Sequence, residues 1–210
     1  MRKLVFSDGS PFARKVRIIL AEKSLEFEAD VVNGYLRTND SLKEHNPLLQ
    51  VPTLYDRGGV FWGSDLILHY LFSAYPETPS SGLSPPLSPT IARQERYWED
   101  MLTLTTIDSM ADAIINYRLM IAGGPEFKNN FMDRQIGRVP SALDWLEQRC
   151  TSEGFWPGTC SVMDINLMCP LIYGEVRKAF DFRVGRWPKI AALVDRLLVR
   201  PSVASTPINT

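Results

Sequence analysis

A chain of 210 residues, 45% hydrophobic and 22% charged, has room for one large domain or two small ones with an ample core. Its net charge of -1 gives no electrostatic reason to expect nucleic acid or an anionic membrane as a partner. Two histidines without ligand spacing hold no metal. Cys150, Cys160 and Cys169, odd in number and forming no CxxC, point to a reduced, cytoplasmic protein. At the start, Leu4, Val5 and Phe6 are too few for a signal peptide's apolar region. The run INLMCPLIY falls far short of a membrane span.

The pattern predicts a strand at Lys3–Phe6, a turn through Ser7, Asp8 and Gly9, and a helix opened by Ser10 as N-cap with Pro11 at its first position. Phe12, Val16, Ile19 and Leu20 define its apolar face, and Arg14, Lys15 and Glu22 lie away from it. Phe27–Val32 is the next strand, and Asn33–Glu44 a polar loop with a short irregular helix. Pro52–Tyr55 and Val60–Trp62 form a hairpin around Asp56-Arg57-Gly58-Gly59. A helix follows from Ser64 with Leu66, Ile67, Tyr70 and Leu71 inward. Phe61, Trp62 and Tyr70 read as core aromatics. The order β-α-β-α-β-β-α defines a small α/β unit.

The stretch YPETPSSGLSPPLS is the chain's best linker, and everything after it reads as helical. Ser88-Pro89 opens a long helix reaching Ile121. Pro125 opens another reaching Arg149, with Pro140 expected to kink or split it. Ser161 and Asp164 resemble a capping box, Pro170 is expected to bend the helix behind them, and Trp187-Pro188 starts a last helix stopped by Pro201.

Chemistry concentrates in two places. Val51, held extended by Pro52, offers a backbone edge to an extended peptide. The helix N-terminus at Ser64 beside it attracts carboxylates. Together they suggest a small-peptide ligand. The other place is Ser10, which from physics alone reads first as an N-cap worth about 1 kcal/mol. No GxGxxG, phosphate loop or GxSxG elbow accompanies it.

SPFARKVRI, NPLLQVPTL, SDLILHYL, SVMDI and RPSVAST, five short motifs in this order, resemble the cytosolic glutathione transferase superfamily, nearest to bacterial serine-type members. The resemblance implies a thioredoxin-like α/β N-terminal domain (1–76), a linker (77–87) and an all-α helical C-terminal domain (88–210). It implies a cytoplasmic homodimer that uses glutathione as co-substrate against a small electrophile, without a metal. Ser10 matches the catalytic serine, whose hydroxyl would donate to the glutathione sulfur. A free thiol has a pKa of about 8.5, and a hydrogen bond to a charged acceptor contributes about 1.5–3 kcal/mol, which is on the order of one to two pKa units. Val51 matches the residue whose backbone pairs with the cysteinyl unit, Pro52 the family's cis-proline and Gln50 a partner for the glycine end. Ser64 matches the serine that binds the γ-glutamyl carboxylate.

One position departs. The family usually places an acid before that serine, and this chain has Gly63. The γ-glutamyl ammonium then lacks its counter-charge unless Asp65 turns back to supply it. Asp108, Tyr117 and Arg118 are candidates for the electrophile pocket. Two alternatives share the fold: a non-catalytic binding or scaffold protein, and a glutathione-dependent isomerase or dehalogenase.

Overall fold

The computed structural model describes residues 1–32, 40–76, 96–124, 130–156 and 158–208. Two units emerge, Met1–Ser81 with Pro201–Thr210, and Gly82–Arg200. The linker expected at 77–87 and the helix starts expected at Ser88-Pro89 and Pro125 lie outside the described residues.

The first unit carries a four-stranded sheet in the order β2-β1-β3-β4. β1 (Lys3–Phe6) pairs parallel with β2 (Glu28–Val31) and antiparallel with β3 (Thr53–Asp56), which pairs antiparallel with β4 (Gly59–Trp62). A parallel neighbour requires a crossover, and α1 (Pro11–Glu22) supplies it. The β3–β4 hairpin turns on Arg57 and Gly58, both at positive φ, as a twist-matched two-residue turn requires. Leu4, Val5, Ile19, Leu54, Ile67 and Leu71 are buried between sheet and helices. Residues Asp40–His45 form α2.

α1 departs from its expected solvated face. Arg14, Lys15 and Glu22 are buried, because α3 (Ser64–Ala74) and the returning segment Pro201–Thr210 supply them with partners. Arg14 Nε donates to the Thr206 carbonyl at 2.7 Å, Lys15 Nζ to Asp65 at 2.6 Å, and the Ser202 hydroxyl to Glu22. In α3, Ile67, Leu68 and Leu71 face inward, whereas Leu66 is 56% exposed. Phe61, Trp62 and Tyr70 are half-buried rather than core. Phe61 stacks on Tyr70 at 3.9 Å, and the Tyr70 hydroxyl donates to Asp56 at 3.0 Å. Burial, then that carboxylate, push the Tyr70 hydroxyl up to about 12.

The second unit is helical: α4 (Tyr97–Ala122), α5 (Asn130–Glu147), α6 (Val162–Val176) and α7 (Pro188–Leu198). Pro140 does not split α5, which runs through it. The capping box at α6 is complete: Ser161 Oγ accepts from the Asp164 amide at 3.3 Å, and Asp164 accepts from the Ser161 amide at 2.7 Å. Asp164 also accepts from the Phe155 amide at 3.0 Å. Burial pushes its carboxyl up to about 6 despite these donors. Pro201 ends the helical unit but opens one further turn, α8 (Pro201–Ala204), which belongs to the first unit. Among the described residues, no helix is long and apolar enough to cross a membrane.

Candidate functional site

Ser10 stands at the junction of the β1 turn and α1. Its Oγ accepts from the Ala13 amide at 3.2 Å, and its own amide donates to the Ser7 carbonyl at 3.0 Å. A hydroxyl has one donor and two lone pairs, so capping uses acceptor capacity and leaves the O–H to donate elsewhere. The N-cap reading and the thiolate-donor reading are therefore compatible. The turn in front of Ser10 is braced by Arg17, whose Nη1 lies 2.9 Å from Asp8 Oδ1. The same guanidinium lies over the Phe6 ring, 4.5 Å from its centroid. Burial pulls Arg17 below its usual value, with Asp8 opposing.

The Val51–Pro52 peptide is cis, immediately before β3. Val51 is half-buried, Pro52 buried and Gln50 exposed. Asn46, which the sequence reading left without a role, closes this loop from inside. It is 1% exposed. Its amide donates to the Gln50 carbonyl and to Thr53 Oγ1, both at 2.8 Å, and its Oδ1 accepts from the Leu48 amide at 2.9 Å. The Asn46-Pro47 pair was the available signal, since Asn before Pro favours a turn held by the Asn side chain.

At the head of α3 the N-cap is Gly63, not Ser64. Gly63 sits at φ +81° and brings no side-chain bond to the helix start. Glycine suits that conformation without strain, and Ser64 becomes the first helical residue, 7% exposed. Asp65, the one acid in the first turn, is engaged by the Lys15 ammonium at 2.6 Å; that lysine side chain is 3% exposed against 51% for Asp65.

The structure thus places Ser10, Gln50, Val51, Pro52, Ser64 and Asp65 in one unit, at the heads of α1 and α3 and the entry to β3. The three cysteines lie in the other unit and are buried. Burial pushes the Cys150 thiol up to about 12, which removes it as a nucleophile. Asp108, Tyr117 and Arg118 are all half-buried on α4. Nine positions separate Asp108 from Tyr117, a spacing that sets them on opposite sides of a regular helix. Among the described residues, no group of three or more His, Cys, Asp or Glu is arranged to hold a metal ion.

A parallel β1–β2 pair joined by a helix, a cis-proline entering β3 and a helical second unit define a thioredoxin-like domain followed by an all-α one. Residues 4–79, the greater part of the first unit, match the family of the glutathione S-transferase N-terminal domain, and the whole chain is similar in fold to glutathione transferases. Among its relatives, a stringent starvation protein A homolog of Haemophilus ducreyi is 33% identical over 105 residues, which span 48% of this chain and 49% of that protein. The chain thus spans about half the length of that relative. The uncharacterized GST-like protein YibF of Escherichia coli is 25% identical over 209 residues, covering 97% of both chains. A glutathione S-transferase of Methylobacterium radiotolerans, solved in complex with glutathione sulfonate, superposes with a TM-score of 0.83 at 27% identity. The superposition covers 100% of this chain and 96% of that one.

Proposed function

We propose that this protein is a glutathione-dependent transferase whose first unit binds the tripeptide and whose Ser10 holds its thiolate for attack on an electrophilic carbon. The observation that carries the reading is the co-location, in one unit, of a capping serine with its O–H unspent, a cis Val51–Pro52 edge and an α3 N-terminus without a side-chain cap. The structural relative solved with a glutathione derivative supports the choice of ligand. In this reading Val51 pairs with the cysteinyl backbone, Gln50 with the glycine end, and Ser64 with the γ-glutamyl carboxylate. Ser10 donates to the sulfur and stabilises the nucleophile without being one. The α1 N-terminus adds to the same effect.

Calorimetric titration with glutathione tests the first half, and absence of heat at millimolar ligand rejects it. Conjugation of glutathione to an activated aryl halide tests the second half. Ser10→Ala is expected to leave the dissociation constant nearly unchanged. It should lower kcat by roughly ten- to a hundredfold, the effect of losing one charge-assisted hydrogen bond, and move the rising limb of the pH–rate profile to higher pH. An unchanged profile rejects Ser10 as the activator. A second reading, a binding protein without turnover, is favoured by one feature: Asp65 is held by Lys15 and Gly63 offers no acid. Tight glutathione binding without conjugation would select it.

A further inference from the structure

The outer face of α5 carries charge that the fold leaves unpaired. Phe131, Arg134, Arg138, Ser141, Trp145 and Arg149 follow one another at steps of three or four residues, the spacing that keeps side chains on one face of a helix. Met132, Gln135, Val139, Leu143 and Leu146 form the buried face. The three arginines are exposed, Phe131 is 52% exposed and Trp145 is half-buried. The Arg149 guanidinium stacks 3.5 Å from the centre of the Trp145 ring and donates to the Trp145 carbonyl at 3.1 Å.

At about 100° per residue, Asp133 and Asp144 of the same helix stand about 80–100° round from Arg134. The Glu147 carboxylate accepts from the Lys189 and Ile190 amides, both at 2.9 Å. Among the described residues none of the three arginines is in an ion pair. Two exposed arginines just before α7 are matched, by contrast: Arg183 meets Glu175 at 2.6 Å and Asp195 at 2.8 Å, and Arg186 meets Asp144. From Arg134 to Arg149, α5 therefore presents about 22 Å of uncompensated positive charge with an indole ring set in it.

We propose that this face docks an acidic segment of another protein, its carboxylates on Arg134, Arg138 and Arg149 and its apolar residues on Phe131 and Trp145. Guanidinium forks pair with carboxylates two bonds at a time, and Arg, Trp and Phe are residue types that protein interfaces concentrate. A nucleic acid fits less well. Three arginines neutralise few phosphates, and a net charge of -1 gives a polyanion no wider field to follow.

The test is fluorescence anisotropy on the full chain at low salt, with a fluorescein-labelled peptide of repeated Glu-Leu-Ala-Ala-Glu-Leu-Ala as the probe. The parent is expected to bind it, and more weakly as salt rises. Arg134→Gln, Arg138→Gln and Arg149→Gln together should weaken binding at least about tenfold, with the helical circular dichroism unchanged. Removing as much charge elsewhere, through Arg57→Gln, Arg96→Gln and Lys178→Gln, should have a clearly smaller effect. No binding by the parent at about 0.1 mM peptide, or an equal loss in the two variants, overturns the proposal. Oligothymidylate or phosphatidylglycerol vesicles held more tightly than the peptide by the same arginines overturn the choice of partner. Self-association of the parent that the α5 variant loses in sedimentation overturns it as well, by making a second copy the occupant.

Discussion

Asn46 spends both amide hydrogens and its carbonyl on the loop that carries Val51 and Pro52. Replacing it with alanine takes the donor from the buried Thr53 hydroxyl oxygen and the acceptor from the Leu48 amide, while the Gln50 carbonyl keeps its bond from the Thr53 hydroxyl at 3.1 Å. A buried group left short of its partner costs about 1–3 kcal/mol, so Asn46→Ala is expected to lower the unfolding free energy in urea by about 1–3 kcal/mol. Asn46→Asp should do no better, because a carboxylate oxygen would then face the Gln50 carbonyl. An alanine variant as stable as the parent would show that the loop holds its shape without this side chain. Ser10 and Asn46 differ in how far they could be read in advance. The serine announces itself by its place before Pro11, whereas the asparagine's partners lie four and seven positions away and depend on the fold of the loop.

At the scale of elements, local chemistry was readable and distant pairing was not. Strand β1, the Ser10 cap, the hairpin and the α6 capping box all depend on residues within a few positions of one another, and each stands where the pattern put it. Gly63 was missed as a cap because its role comes from a backbone angle and not from a side chain. The burial of Lys15 was missed because its partner is 50 residues distant. The aromatic trio of β4 and α3 was assigned to the core by composition, while β4 lies at the sheet edge. For α6, Asp164 makes a pH prediction. Its carboxyl is raised to about 6 in the fold, mainly by burial, from an ordinary 3.8. The folded state therefore binds the proton more tightly, and this group's contribution to stability falls as pH rises from about 4 to about 6. The shift corresponds to about 3 kcal/mol at most. The difference in unfolding free energy between the parent and Asp164→Asn should fall over that window and level off above it. A difference that is flat with pH would show an ordinary carboxyl.

For the molecule as a whole, the chain leaves its first unit near residue 81, forms a second, and returns at Pro201. The returning segment receives Arg14 on two carbonyls, at 2.7 Å from Thr206 and 3.4 Å from Val203, and its Ser202 donates to Glu22. A chain ending at Arg200 is expected to lose at least about 2 kcal/mol of stability in the first unit. Faster amide exchange in β1, β3 and α1, with little change in α4–α7, would report it. Uniform protection across both units would refute it. The return also sets a timetable on the ribosome. The strands are translated first, yet the residues that receive Arg14 and Glu22 leave the exit tunnel only after the helical unit has been made. The unit begun first is the one completed last.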